Sequence, residues 1–529
     1  MGKSLVVVES PTKVRTIKQY LGNQYNVVAT VGHIRDLPEK EIGIDIEAGF
    51  KPKYRTIAGK QKVITSLKNA AKDVDEIYLA PDPDREGEAI AWHTAEVLKE
   101  TGRRFHRVLF HELTKKAILD SMAHPRDLDR AKFDAQQTRR ILDRLVGYQI
   151  SPLLWRKIKS GLSAGRVQSV SVRIICDRER AIQAFEPKEF WTVSAELSGE
   201  SPPPFTAKLV KKNGKKIEIP DEKTSSAIVS YLQKAAFIVR SVEEKTTRRN
   251  PQPPFITSKL QQEAIRKLRF SARKTMQVAQ QLYEGVELGG GDPVGLITYM
   301  RTDSTRISQE AAQEALAHVR ETYGAPYAIP SPREFVNKNK AQDAHEAIRP
   351  TSVRNTPEYV APYLNKDQLA LYTLIWQRFV ASQMAQALID RNTISINAGE
   401  YLFTATGSRV QFPGFMALYL SAEEQMNREK EKEEENKALP ELRKGMSLTL
   451  NQLLPKQHFT SPPPRFSEAS LVKELEENGI GRPSTYATIL STIRDKGYVE
   501  LVKGYFHPTE LGFIVNDLVV NAFPDIIDV

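Results

Sequence analysis

The chain's 529 residues are too many for one core and, at roughly 100–200 residues per domain, imply three or four domains. With 40% apolar and 27% charged residues it reads as globular, and its net charge of +11 favours a polyanionic partner: nucleic acid most simply, though ribosome-bound and lipid-surface proteins share that balance. The single cysteine, Cys176, excludes a disulfide framework and any Cys-based zinc ribbon or Fe–S cluster within this chain. No apolar run approaches the ~18 residues of a membrane-spanning helix. Leu5–Val8, followed at once by Glu9, is too short for a signal peptide, so a cytoplasmic protein is expected.

In chain order, Ser4-Leu-Val-Val-Val8 has the pattern of a strand buried on both faces. It runs into Glu9-Ser-Pro-Thr-Lys13, where Ser10 caps a helix with Pro11 at its first position. Ile77-Tyr-Leu-Ala80 repeats the strand pattern and stops at Pro81. After it come the polar turn Asp82-Pro-Asp-Arg-Glu86-Gly and a helix-spaced stretch over 88–99. Strand, turn and helix, repeated, predict a parallel α/β sheet over the first ~125 residues.

Beyond residue 128 the chain turns helical, through Arg139-Arg-Ile-Leu-Asp-Arg-Leu-Val146 to Arg180. Around 190–242 the period drops towards two. Trp191–Leu197 and Phe205–Val210 alternate as antiparallel strands about the turn Ser201-Pro-Pro-Pro204. Helical texture covers 257–386, then β texture returns at Thr393–Asn397 and Tyr401–Gly407. The two β stretches are therefore expected to pair across the helical block as a discontinuous domain. The charged stretch 423–437 reads as a solvated excursion. The last ~65 residues read as helical, with Gly479-Ile-Gly-Arg-Pro483 breaking two helices.

Asp82, Asp84 and Glu86 alternate directly after a buried strand, and three carboxylates so close repel unless a cation neutralises them. Hard oxygen ligands of this kind suit Mg²⁺ or Mn²⁺. Glu9, at the end of the other strand, is placed to join them beyond the carboxyl edge of the sheet. The competing reading is an acidic turn capping the following helix. Lys13, Arg85, Arg107, Arg139, Arg140, Arg166 and Arg301 adjoin these and similar stretches; arginines clamp phosphates bidentately, though each taken singly is equally a surface charge. No P-loop occurs, so nucleotide hydrolysis is not indicated. Leu296-Ile-Thr-Tyr-Met-Arg-Thr-Asp-Ser304 puts a phenol beside a guanidinium and a carboxylate. Tyr299 is thus either a covalent nucleophile with Arg301 as its electrostatic partner or a packed tyrosine, and His345 either a site residue or a structural histidine. Spacing alone does not bring Tyr299 to the carboxylates.

These stretches resemble the bacterial type IA DNA topoisomerases. The strings that carry the resemblance are Val7-Val-Glu-Ser-Pro-Thr-Lys13, Gly32-His-Ile-Arg-Asp-Leu37, Pro81–His93, Gly161–Ser169, Leu296–Thr305, Ala344–Pro350 and Gly479–Tyr486. They run in family order through essentially the whole chain, and the long acidic string and the tyrosine string are highly specific. Met300 resembles the branch that relaxes supercoils, since the decatenating topoisomerase III branch typically has proline there. The absence of helicase motifs disfavours reverse gyrase.

The resemblance implies a multidomain α/β plus α and β protein, with an N-terminal Toprim domain on a parallel sheet and a toroidal core. The implied boundaries are 1–125 for Toprim, 126–185 with 448–529 for a helical single-strand DNA-binding domain, 186–255 with 385–447 for a β-rich arch, and 256–384 for the helical domain bearing the tyrosine. It further implies ATP-independent relaxation of negatively supercoiled DNA. Tyr299 attacks a single-strand phosphodiester to leave a 5′-phosphotyrosine and a free 3′-hydroxyl, the other strand passes, and the break is resealed. Glu9, Asp82 and Asp84, with Glu86 the less certain fourth, would hold Mg²⁺, for which Mn²⁺ is a possible substitute; neither ATP nor zinc is expected. Arg301 would stabilise the attacked phosphate and Lys13 protonate the leaving oxygen, with Glu9, His345 and Asp303 contributing. Arg107, Arg139, Arg140, Ser163, Gly165, Arg166, Gln168 and Ser304 would contact DNA, and His33, Asp36, Arg85 and Arg482 would support the site.

The implied partner is single-stranded DNA within negatively supercoiled molecules, bound by a nucleoid-associated cytoplasmic monomer with no membrane contact. The chain lacks the zinc ribbons that extend many relatives and stops at Phe523–Val529, which reads as a truncation that spares cleavage and weakens multi-turn relaxation. The rival readings are a topoisomerase III-like decatenase, a metal-dependent nuclease or primase using the Toprim acids alone, and a non-catalytic single-strand binder.

Overall fold

The computed structural model describes residues 3–289, 293–335, 345–434, 439–525 and 527. Positions 343 and 344 of the His345 motif and 435–437 of the charged stretch lie outside them. Both apolar runs near the N-terminus are strands of one parallel sheet. β1 (Lys3–Val8) lies between β2 (Tyr25–Ala29) and β3 (Val74–Leu79), and β4 (Arg104–Arg107) pairs with β3. Leu5, Val6, Val7 and Val8 are fully buried, which is why the run shows no alternation. The chain leaves β1 for β2 on one side and returns to β3 on the other. A crevice thus opens beyond the carboxyl ends of β1 and β3, where such sheets place their sites. Glu9 follows β1, and Asp82 and Asp84 follow β3.

The two β stretches do pair across the helical block. β5 (Glu189–Ser198), β6 (Phe205–Lys212), β8 (Phe237–Arg249), β9 (Ala387–Ala398), β10 (Tyr401–Phe412) and β11 (Ser447–Phe459) close into an antiparallel barrel, and the two-residue β7 (Lys215–Lys216) pairs only with β6. Phe205, Phe237, Ile396 and Phe403 fill its core. β11 carries the barrel past residue 447, where helical structure was expected to begin. Leu448, Leu450 and Leu453 pack on the barrel core, and a bulge between Leu450 and Gln452 shifts the alternation by one, which hid the strand. The C-terminal part is also not wholly helical: Val499–Val502 and Tyr505–Pro508 form a hairpin.

The tyrosine-bearing block packs directly on the first sheet. Val6, Val8, Ile17 and Phe110 share one apolar cluster with Leu260, Leu282, Tyr299, Ile348 and Phe379. A second cluster joins Ile150, Leu154 and Ile175 to Leu471, Ile489 and Val515, so the helices on either side of the barrel insertion form one body.

Candidate active site and nucleic-acid interface

The helix Pro11–Leu21 starts as expected, with Ser10 accepting from the Lys13 amide. Its first turn aims the Lys13 ammonium at two carboxylates: Glu9 Oε1 at 3.1 Å and Asp82 Oδ1 in direct contact. Lys13 is 1% exposed. Burial pulls its pKa down, but Asp82, Tyr283 and Glu9 override this and hold the ammonium protonated. Burial pushes the Asp82 carboxyl up to about 7; Lys13 opposes the shift and Glu9 adds to it. For Glu9 burial acts upward, yet the net shift is downward because Lys13 lies beside it.

Asp84 caps the helix Arg85–Leu98, its Oδ1 accepting from the Gly87 amide at 2.9 Å. A side chain at position 87 would drive its Cβ into the Asp82 carbonyl, so only glycine lets the acidic turn fold back on the helix. The capping reading holds for Asp84: Oδ1 caps, while Oδ2 accepts the Tyr299 phenol at 2.7 Å and lies 3.4 Å from Arg301 Nη1. Tyr299 is 2% exposed. Burial, then Asp82 and Asp84, raise its pKa well above the usual phenol range against the pull of Arg301, so the phenol is protonated. Arg301 has its own pKa raised, first by Tyr299 and then by Asp84 in spite of burial. The ring of His345 stacks on Tyr299 at 5.8 Å, and burial lowers its pKa. Asp303, Arg85 and Arg482 line the small crevice outside, about 50 Å³, which has room for water and none for a strand.

Glu86 does not converge with the other acids. Its Oε2 is shared by His33 Nε2 at 3.1 Å and Gln136 Nε2 at 3.2 Å. Among the described residues no three His, Cys, Asp or Glu side chains converge as a ready-made cation site. The Lys13 ammonium occupies the position between Glu9 and Asp82. The donor chemistry nevertheless fits a hard divalent cation, because Glu9, Asp82 and Asp84 offer only oxygen.

Two residues expected at the DNA are buried in this closed form. Arg107 is 1% exposed: its Nε bonds Glu88 at 2.9 Å, and its remaining donors reach the carbonyls of Leu79, Pro81, Val108 and Asp82. It braces the acidic turn from below and faces no solvent. Ser304 is also 1% exposed, its hydroxyl accepting from the Arg306 amide.

The remaining basic positions gather elsewhere. A groove of about 1200 Å³ runs between the helix Arg130–Lys157, the 161–168 loop and the helix Tyr486–Asp495. Arg139, Arg140, Ser163, Gly165, Arg166 and Gln168 all line it. Tyr498 fixes the loop, its hydroxyl accepting from the Ser163 amide and donating to the Ser163 carbonyl. Arg166 pairs with Asp143 at 2.9 Å, and Arg140 chelates Asp36, whose carboxyl is held low by that guanidinium against the effect of burial. Trp155 and Tyr148, which the sequence motifs did not single out, line the same groove and are partly exposed, with the Arg144 guanidinium lying over the Tyr148 ring. Their signal was the helical spacing of Arg140, Arg144, Tyr148 and Trp155.

Residues 127–529 match the DNA topoisomerase family, and residues 4–113 match the Toprim domain. The chain belongs to the bacterial type IA DNA topoisomerases, enzymes of the isomerase class that act on DNA. It is 41% identical to full-length topoisomerase I of Thermotoga maritima, with a TM-score of 0.86 over 99% of this chain and 84% of that one.

Proposed function

We propose that this enzyme relaxes negatively supercoiled DNA without ATP, by cutting one strand through a 5′-phosphotyrosine on Tyr299, passing the other strand and resealing the break. The observation that carries the reading is the meeting of Tyr299, Asp84 and Arg301 at hydrogen-bonding range, with Lys13 behind them among the acids. A single strand held along the 1200 Å³ groove leads to this point, because Thr485 and Thr488 on the groove wall adjoin Pro483 and Ser484 in the crevice lined by Asp84, Arg301 and His345.

In the cleavage step the phenol proton passes to Asp84, to which it is already bonded. The Tyr299 Oη–phosphorus bond forms and the phosphorus–O3′ bond breaks. Arg301 stabilises the charge that develops on the phosphoryl oxygens, and Lys13 protonates the leaving 3′-oxygen. Religation reverses each transfer, and the energy of the broken diester is kept in the tyrosyl ester. Glu9, Asp82 and Asp84 would hold Mg²⁺, which when bound supplies positive charge to orient the broken end. Since Tyr299 is covered in the closed form, the block carrying it must separate from the Toprim sheet for a strand to enter or pass.

The test is incubation with end-labelled single-stranded DNA, then denaturation. Label bound covalently to the wild-type chain through a 5′-phosphate, and absent with Tyr299→Phe although DNA binding is retained, is the expected result. An adduct in Tyr299→Phe, or free ends with no adduct, overturns the mechanism.

A further inference from the structure

The carboxylates of Glu9 and Asp82 take two of the three protons that the Lys13 ammonium has to place. Its third neighbour is aromatic. Tyr283, in the helix Ala272–Glu284, is 1% exposed and has no part in the proton and phosphoryl transfers. The ammonium lies over its ring, 5.2 Å from the centre and within the ~6 Å of a cation–π contact. The same ring meets that of Tyr299 edge-on, with centres 5.4 Å apart and planes at 66°. Among the described residues it is the one aromatic ring in contact with both Lys13 and Tyr299.

Local structure fixes the ring from two sides. Glu284 accepts from Ser10 Oγ at its carboxylate and from Thr16 Oγ1 at its carbonyl, both at 2.9 Å, which docks this helix end on the helix that carries Lys13. Gly285 follows at a φ of 124°, and a Cβ there would lie 2.8 Å from Thr16 Oγ1, so the close approach needs glycine. On the other side the Leu296 amide donates to the Leu282 carbonyl at 2.8 Å, tying the segment that leads to Tyr299 to the same helix end. The Tyr283 hydroxyl donates to the Phe110 carbonyl at 2.7 Å, and the Tyr299 amide donates to the next carbonyl, that of His111, at 2.9 Å. Two consecutive carbonyls thus register both tyrosines against the chain that leaves the Toprim sheet.

We propose that Tyr283 is a positioning residue for Lys13, its ring face holding the ammonium where it protonates the leaving 3′-oxygen. The role rests on Lys13 acting as the acid in cleavage through Tyr299. A ring face supplies negative potential without a third carboxylate, so it steadies the cation and leaves its protons free to transfer. Loss of the ring then slows cleavage only as far as the leaving group needs a proton. A bridging sulfur in place of the 3′-oxygen needs none, because a thiol of pKa ~8.5 departs readily as the thiolate.

The test uses the full chain and single-stranded oligonucleotides with either the ordinary 3′-oxygen or a bridging 3′-sulfur at the mapped cleavage position. The initial rate of covalent adduct formation is the readout. On the oxygen substrate Tyr283→Leu and Tyr283→Met are expected to react about tenfold more slowly than wild type, part of the ~10²–10⁴ that a placed proton donor contributes. On the sulfur substrate they match wild type, which also reports intact folding and an intact nucleophile. The conservative Tyr283→Phe keeps the ring and restores the rate on oxygen. Equal slowing of both ring-less variants on the two substrates, a wild-type rate on oxygen, or a Tyr283→Phe defect as large as theirs overturns the role of the ring. No adduct with wild type on either substrate, or Lys13→Met slowed equally on both, overturns the cleavage mechanism instead.

Discussion

Tyr299 and Asp84, 215 residues apart in the chain, share a hydrogen bond of 2.7 Å in which the phenol donates to the carboxylate. The bond crosses the boundary between the Toprim sheet and the block carrying the tyrosine, so it serves at once as a closure contact and as the start of proton transfer. Replacing the carboxylate by an amide keeps an acceptor and removes the charge. The Tyr299 pKa, raised by burial and by Asp82 and Asp84, then moves down towards the ordinary phenol range. Asp84→Asn is therefore expected to shift the alkaline limb of the pH profile for adduct formation to lower pH, while slowing the reaction because the proton acceptor is gone. A limb that stays in place would show that the carboxylate does not govern the phenol.

Arg107 makes the opposite case, a guanidinium wholly engaged within the protein. Arg107→Ala leaves Glu88, which is 2% exposed, as an unpaired buried charge and frees the carbonyls of Pro81 and Asp82. Breaking a buried pair from one side costs about 3–5 kcal/mol. A lower urea midpoint is expected with an unchanged salt slope for single-stranded DNA. A reduced slope at wild-type stability would return Arg107 to the DNA interface.

The contrast shows what the sequence could disclose. β1 and β3 are legible because continuous apolar runs of that length fit few structures, and Ser10-Pro11 and Asp84 are legible because helix ends need side-chain acceptors. The side of a sheet to which Arg107 points is not, since Phe105-His-Arg-Val108 has the same local pattern whether the guanidinium meets water or Glu88. The approach of Tyr299 to Asp84 was beyond any spacing argument and rested on family resemblance. The hairpins at Asn213-Gly214 and Lys503-Gly504 do carry a signal that a reading by hydrophobic period alone overlooks, a two-residue turn with positive φ between β-prone runs.

For the grip on single-stranded DNA, Arg166 is the most direct probe. It lines the groove with Asp143 as its partner, an exchange that a phosphate can readily make. Arg166→Ala is expected to lower the log–log salt slope on single-stranded DNA by ~0.7, the value of one neutralised phosphate. An unchanged slope would assign the residue to holding the 161–168 loop through Asp143.

Removing Asp82 should separate the two halves of the reaction. With Asp82→Ala, Glu9 and Asp84 are the oxygen donors left, while Asp84, Lys13 and Arg301 remain to serve the attack. Adduct formation is expected to fall less than religation, which is measured by adding salt or a 3′-hydroxyl strand to preformed adduct at limiting Mg²⁺. Chelation of wild-type protein should produce the same imbalance. Religation at the wild-type rate under either condition would remove the cation from the resealing step.

His111 supplies a stability prediction with a defined sign. Its carbonyl accepts from the Tyr299 amide at 2.9 Å, its ring packs edge-on against His345 at 5.7 Å, and its Nδ1 is buried with no partner among the described residues. Burial, and then His345, push its pKa down to about 3 from the usual 6.5. A histidine kept neutral in the fold binds its proton in the unfolded chain first. Its contribution is therefore complete above about pH 6.5 and is lost progressively as the pH falls towards 3, at up to ~1.4 kcal/mol per unit. Between pH 7 and 5 this amounts to at most about 2 kcal/mol. His111→Asn cannot titrate there, so the drop in unfolding free energy over that interval should shrink by up to that amount whatever the variant's stability at pH 7. An identical acid sensitivity in the two proteins would place the proton on another group, with His93, whose pKa burial pushes down to about 4, as the next to replace.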